Sequence, residues 1–183
     1  MLQKRTALMY SLTPNGNGGG RWESETVPDS IKRGEWGAYV SCVEQGIYFG
    51  GRATSGTDDS IRNLDNDHPL ALPGLLRYNF EDGNWDNTTN SGTFTELFTY
   101  QRGEAVCARI GDRDPLVFAI GGASLPLTDA RDATSDYLDM TSVHFWDPKE
   151  EKWHRQSVSG RAPPTRMAHC AVGAGSRNGT YEM

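Results

Sequence analysis

The four histidines of this chain are its first candidates for catalysis or metal binding. They stand far apart and form no HExxH or other paired spacing, which favours ordinary strand and loop residues over metal ligands. The sequence also lacks a GxSxG nucleophile elbow, a P-loop and a Cys/His catalytic signature. We therefore predict no catalytic residue, no cofactor and no metal site. The histidines are His68, His144, His154 and His169.

Three cysteines, Cys42, Cys107 and Cys170, carry the other reactive groups. Their number is odd and no CxxC pair occurs, which argues against a zinc site. Two interpretations stay open. One is a disulfide, if the protein is exported to an oxidising compartment. The other, which we favour, is that the cysteines are small buried residues within strands.

Aspartates concentrate in two long segments, residues 52–74 and 123–141, whose net charges are −2 and −3. One hypothesis is an acidic binding face for a basic protein partner or a calcium ion. The alternative, which we favour, is a pair of solvated loops, because 65–67 lacks the spacing and the distal Glu of a calcium loop. The aspartates are Asp58, Asp59, Asp65, Asp67, Asp129, Asp132, Asp136 and Asp139.

The composition indicates short strands joined by many turns. The chain of 183 residues has 21 glycines and 5 tryptophans, with 36% hydrophobic residues. Its net charge of −6 argues against the basic face that nucleic-acid binding needs, so we predict no nucleic-acid partner. No apolar run approaches the roughly 20 residues of a membrane span. The N-terminal residues are predicted to form a strand entering a turn rather than a targeting segment.

Two sets of markers recur along the chain. An apolar strand ends in paired glycines twice, and an aromatic residue is followed seven positions later by tryptophan twice. The offsets are 71 residues between the glycine pairs and 68 between the tryptophans, which indicates an internal repeat. A third marker, an arginine that opens a strand of small residues, occurs at Arg33, Arg102 and Arg166. The other markers are Gly50, Gly51, Gly121, Gly122, Tyr78, Trp85, Trp146 and Trp153.

Each repeat is predicted to be a four-stranded antiparallel meander. We expect the glycines to admit close backbone neighbours, since they carry no Cβ. We expect the aromatic residues to fill the space between adjacent sheets, with Trp85 and Trp153 as the strongest anchors. The predicted strands are 36–42, 46–50, 75–80 and 84–88, then 104–109, 115–121, 142–147 and 152–157.

This pattern of glycine pairs, aromatic residues and tryptophans resembles the kelch motif, and residues 161–169 resemble the opening of a kelch blade. The resemblance covers nearly the whole chain. The sequence is also similar in style to fungal kelch-repeat proteins. It implies an all-β, incomplete kelch-type β-propeller with about two full four-stranded antiparallel blades plus a partial blade at each end. The expected limits are 1–28 for the end of a preceding blade, 33–93 and 100–160 for full blades, and 163–183 for the start of another.

A complete propeller closes with roughly 4–8 blades, so we expect a truncated gene product, a fragment, or an open array that assembles with copies or a partner. The resemblance also implies an extracellular or membrane-anchored ectodomain. In that case the sequons at Asn87 and Asn178 would accept glycans.

For function, the leading hypothesis is a non-enzymatic binding module with an unknown protein partner. The alternative is a piece of a kelch-containing oxidase or lyase whose catalytic residues lie outside this chain. The Tyr, Cys and His constellation of a copper oxidase cannot be assembled from these residues. A third alternative is a fragment without function.

Overall fold

Strands account for all the regular structure in the described part of the chain. The structure, a computed structural model, describes residues 8–61, 69–88, 98–126, 136–176 and 180–182. Within them the strands form six small antiparallel sheets, none of which closes on itself. The prediction of an all-β fold, with the open sheets of an incomplete propeller, is confirmed.

Two four-stranded meanders form the body of the protein, and we call them the first and second blades. In each blade, neighbouring strands are antiparallel, and the observed strands lie within two residues of the predicted ones. The first blade contains β3 (Ala38–Cys42), β4 (Gln45–Phe49), β7 (Leu75–Asn79) and β8 (Trp85–Thr88). The second contains β10 (Glu104–Ala108), β11 (Leu116–Ile120), β14 (Ser142–Asp147) and β15 (Lys152–Ser157).

A hairpin flanks the blades on each side. The N-terminal hairpin pairs β1 (Leu8–Pro14) with β2 (Gly20–Thr26), so the segment after the basic N-terminus is the expected strand entering a turn. The C-terminal hairpin pairs β16 (Ala174–Gly175) with β17 (Tyr181–Glu182). The limits of the partial blades stay a prediction.

The two long connections are not wholly irregular, although the sequence suggests plain loops. In the first connection β5 (Arg52–Ala53) pairs with β6 (Leu70–Ala71). In the second, β12 (Ala123–Pro126) pairs with both β13 (Asp136–Tyr137) and β9 (Phe98–Gln101). Through these short ladders, backbone N–H and C=O groups in the insertions gain hydrogen-bond partners that they would otherwise lack.

The hydrophobic core lies between the two blades and contains side chains from both. Phe49 of β4 packs against Tyr100, with ring centroids 5.1 Å apart, and against Trp153, at 5.0 Å. Tyr100 is fully buried, and its hydroxyl donates to the Ile120 carbonyl at 2.9 Å. Trp146 is also fully buried and lies directly across the ladder from Trp153. Aromatic rings therefore join the blades.

A disulfide between Cys42 and Cys107 connects β3 to β10, the first strands of the two blades, with the Cα atoms 5.5 Å apart. Cys170 is a free, exposed thiol. The favoured interpretation of all three cysteines as buried thiols is therefore wrong. It failed because the sulfur separation depends on how the blades stack, which the spacing of 65 residues does not reveal.

The paired glycines lie where the backbones of successive repeats meet. A Cβ on Gly50 would come within 2.0 Å of the Tyr100 carbonyl oxygen, and one on Gly121 would come within 2.9 Å of the Arg166 carbonyl oxygen. Both glycines also have positive φ angles, 71° and 60°. Close approach and left-handed backbone together explain why neither position can hold a side chain without a shift.

Trp85 is less buried than its place in the repeat predicts. It contacts Tyr78 at 4.8 Å between ring centroids but is only half-buried. Its other side lines an open groove of about 870 Å³ beside the N-terminal hairpin. Tyr78 reaches that hairpin through a 2.9 Å hydrogen bond from its hydroxyl to Glu25. Trp153 is thus the strong anchor of the two, because it has a neighbouring blade to pack against.

Candidate functional site

The two insertions after the glycine pairs emerge at the same end of the blades. The Gly51 N–H donates to the Tyr100 carbonyl at 2.6 Å, and the Gly122 N–H donates to the Arg166 carbonyl at 2.8 Å. The carbonyl of each of these glycines accepts from the returning insertion, at Leu72 and at Leu138, both at 3.0 Å. We call this end, with its insertions and the residues that open β3 and β10, the insertion face.

Two arginines enclose one tryptophan on the insertion face. The guanidinium carbon of Arg52 lies 3.3 Å from the ring centroid of Trp36, and that of Arg102 lies 3.5 Å from it. Arg52 is buried and its Nε donates to Glu35 at 2.9 Å. Trp36 and Arg102 are half-buried, so both stay accessible to solvent. Each cation–π contact contributes on the order of 1 kcal/mol.

Left-handed backbone occurs two residues before β3, two residues before β10, and again 66 residues further along the chain. Trp36, Arg102 and Ala168 have φ angles of 65°, 56° and 52°, which non-glycine residues seldom adopt. Each is bonded to the next: the Arg102 N–H donates to the Trp36 carbonyl, and the Ala168 N–H donates to the Arg102 carbonyl, both at 2.7 Å. We call this series the backbone relay. Strained backbone of this kind is often found at binding sites.

The relay corrects one marker of the repeat. The sequence pattern predicts that Arg33 and Arg166 are equivalent to Arg102, but the positions equivalent to Arg102 are Trp36 and Ala168, each 66 residues away in sequence. The arginine alignment failed because the feature that repeats is a backbone conformation. The signal that could have found it is the Gly that follows both Trp36 and Arg102.

The residue just before the relay differs between the two repeats. Glu35 precedes Trp36 and binds Arg52, whereas Gln101 precedes Arg102. Gln101 is 3% exposed, and its side-chain oxygen has no hydrogen-bond partner among the residues that the structure describes. The first repeat therefore carries a carboxylate where the second carries a neutral amide.

Two of the predicted aspartates use their carboxylates in local turns. Asp58 is buried, which opposes its ionisation, but hydrogen bonds from Ser60 and from the Arg33 N–H lower its pKa to about 2. Asp139 is exposed, and hydrogen bonds from the hydroxyl and N–H of Thr141 lower its pKa. These contacts leave Asp58 few free lone pairs for a partner.

The remaining predicted polar residues divide into exposed positions and positions outside the described residues. Asp59 lies 3.9 Å from Arg33, and Asp136 is exposed on β13. Asn87 is exposed on β8, at the outer edge of the first blade. An acidic binding face and a glycan at Asn87 both stay predictions. Outside the described residues lie Asp65, Asp67, Asp129, Asp132, Asn178 and His68.

One cluster of metal-binding side-chain types was not foreseen. Asp147, Glu150 and His154 bring their ligand atoms within 4.8 Å of one another at the outer edge of the second blade. Their existing contacts explain the arrangement: Glu150 pairs with His154 at 3.2 Å, and Asp147 accepts the Lys149 and Glu150 N–H groups. We assign no ion to this cluster.

The other histidines are placed by packing. His144 is buried in β14, and burial, with a further effect of Arg155, lowers its pKa to about 4. His169 lies against Gly121, and neither ring nitrogen has a hydrogen-bond partner among the described residues. No helical segment in the described ranges has the length and apolar character needed to cross a bilayer.

Comparison with known proteins supports the resemblance to kelch repeats. The chain is 26% identical, over 186 aligned residues, to a kelch repeat-containing protein of the fungus Arthroderma benhamiae. The alignment covers 92% of this chain but only 26% of the relative, so the chain spans about a quarter of that protein's length. No protein-family model matches the chain. The kelch-repeat resemblance predicted from the sequence is confirmed.

Proposed function

We propose that this chain is a kelch-type binding module that recognises a protein partner on its insertion face and has no catalytic activity of its own. The observation that carries the proposal is the Arg52–Trp36–Arg102 stack, which brings the first residue of the first insertion together with the residues that open β3 and β10. Tryptophan and arginine are the residues most enriched at the energetic centres of protein interfaces. A stack that is held by rigid sheets and reached by solvent suits such a centre.

The scaffold supports this proposal because it fixes the stack from several directions. The relay holds Trp36 and Arg102 through the main chain, and Glu35 holds Arg52 through an ion pair. The disulfide fixes the spacing of the two blades that contribute the stack. A preorganised surface loses less conformational entropy when a partner binds.

The disulfide also supports folding in an oxidising compartment. Structural disulfides persist in secreted and extracellular proteins and are rare in the cytosol. We therefore propose that the protein is exported, which agrees with the ectodomain expected from the kelch resemblance. Mass spectrometry of protein from its source, alkylated before and after reduction, tests this. Alkylation of Cys42 and Cys107 before reduction would contradict export.

Site-specific photo-crosslinking tests the binding face. A photoreactive amino acid at Tyr137, which is 51% exposed in the second insertion, should capture a partner from the medium in which the protein occurs. The matched control is Val43, which is 56% exposed in the β3–β4 turn at the opposite end of the first blade. Equal capture at Val43 and Tyr137, or none at Tyr137, would contradict the proposed face.

A further inference from the structure

Arg102 is the cation of the stack that has no internal counterion. Among the described residues no carboxylate lies within 4.0 Å of its guanidinium, and its polar side-chain contact is a weak one, from Nη1 to Met167 Sδ at 3.9 Å. Arg52, on the other face of the same ring, is paired with Glu35. Solvent reaches this half-buried guanidinium, so its charge is available to an anionic ligand.

The chain itself shows which ligand suits this stack. Glu35 presents a carboxylate to a guanidinium that lies flat on Trp36, with an N···O distance of 2.9 Å. At the equivalent position of the next repeat Gln101 supplies a neutral amide, whose buried oxygen also lacks a hydrogen-bond partner among the described residues. In the next repeat the residue that pairs with Gln101 is Ala123, so the equivalent of the Glu35–Arg52 ion pair is missing there, and Arg102 lies on the Trp36 ring without a carboxylate.

The orientation of Arg102 leaves its binding edge available. A guanidinium that stacks on an aromatic ring directs its N–H groups outward in its own plane, where a carboxylate can accept two parallel hydrogen bonds. Among the described residues, Arg102 carries the one unpaired positive charge of the stack, which matches a carboxylate. A phosphate dianion would leave a surplus negative charge near Glu35.

We propose that Arg102 binds a carboxylate of an acidic segment of the partner protein. This inference rests on the proposed function, because it names the group by which the partner is recognised on the insertion face. The Trp36 ring sets the orientation of the guanidinium, and the left-handed backbone at Arg102 places it at the opening of β10.

The experiment uses an acetylated hexaglutamate peptide as the probe and follows binding by calorimetry at low and at moderate salt. Arg102→Gln should weaken binding at least tenfold, the loss typical of a charge-assisted hydrogen bond. Arg113→Gln is the matched control, since it removes the same charge from the exposed turn between β10 and β11 and should leave affinity unchanged within twofold.

Three results would overturn the inference: Arg102→Gln binds hexaglutamate as wild type does, hexaglutamine binds as tightly as hexaglutamate, or inorganic phosphate binds at Arg102 as tightly as the peptide. Circular dichroism checks that each variant is folded. If Arg102→Gln does not fold, Arg102→Lys serves instead. It keeps the charge, loses the fork-shaped donor, and should weaken binding several-fold.

The two proposals can fail separately. If a partner crosslinks at Tyr137 equally well in wild type and Arg102→Gln, the binding face stands and the carboxylate contact is refuted. If hexaglutamate binding depends on Arg102 while no partner crosslinks at Tyr137, Arg102 binds carboxylates but the proposed recognition of a protein partner is refuted.

Discussion

Replacing both Cys42 and Cys107 with alanine is expected to lower the free energy of unfolding by about 4 kcal/mol. The bond closes a loop of 65 residues, and the chain-entropy relation for a loop of that length gives about 4 kcal/mol at 25 °C. Cys42 is only 3% exposed, so the loss of its buried sulfur adds a smaller cost. Alanine avoids the hydroxyl that serine would bury beside the core.

Urea unfolding followed by tryptophan fluorescence measures this difference, with and without a reductant. The wild-type protein in reductant should come close to the double variant, apart from the smaller cost of the lost sulfur, and the reductant should not affect the double variant. Cys170→Ala is the matched control and should leave stability within about 0.5 kcal/mol of wild type, because its side chain is exposed and outside the disulfide.

If the double variant lost less than about 1 kcal/mol, the bond would not be constraining the unfolded chain as the loop length requires. If the reductant weakened the double variant as much as the wild type, the effect would come from something other than Cys42–Cys107. Either result would refute the reasoning that this bond stabilises the fold by closing the loop of 65 residues.

Three further changes test the packing and the electrostatics. Trp153→Ala should cost about 3–5 kcal/mol in urea unfolding, and Trp85→Ala clearly less, because Trp153 is 4% exposed and Trp85 is half-buried. Gly50→Ala should destabilise more than Gly16→Ala, since both have positive φ but only Gly50 has backbone within 4 Å of the added Cβ. Because the folded protein lowers the pKa of His144 from 6.5 to about 4, stability should fall by up to about 3 kcal/mol as the pH drops across that range, and His144→Gln should flatten that slope.

Each of these has a clear contrary result. Equal losses for Trp153→Ala and Trp85→Ala would mean that the core does not lie between the blades. Equal losses of stability for Gly50→Ala and Gly16→Ala would mean that the positive φ angle, and not the close backbone contact at Gly50, causes the destabilisation. The sign for His144 follows from proton binding: the unfolded chain takes up the proton first as pH falls, so a rise in stability toward pH 4 would contradict its burial.

The sequence was sufficient to predict the strands of both blades because the repeat fixes them through local features. The spacing from Tyr78 to Trp85 and from Trp146 to Trp153 places each pair directly opposite across a hairpin. Such register depends on turn length and alternation alone. The short strands within the insertions were missed, because two-residue ladders such as β5–β6 have no periodicity of their own.

The candidate site was harder to predict, since it depends on contacts between repeats. Nothing in the local sequence brings Arg52 and Arg102, which are 50 positions apart, to opposite faces of Trp36. For the same reason, neither the spacing of the cysteines nor the composition could predict that Cys42 pairs with Cys107. The sequence shows the aspartates as a charge pattern. It does not show the hydrogen bonds from Arg33 N–H and Ser60 that occupy the Asp58 carboxylate.

The backbone relay makes one region of the surface free to change. Trp36, Arg102 and Ala168 are an aromatic, a cation and a methyl-bearing residue, yet each gives the same carbonyl or N–H group to its neighbour. Because main-chain atoms alone make these bonds, changing the side chains at the three positions leaves the bonds intact. Single substitutions at these positions can therefore change the binding specificity at the centre of the insertion face while the strands beneath it keep the same fold.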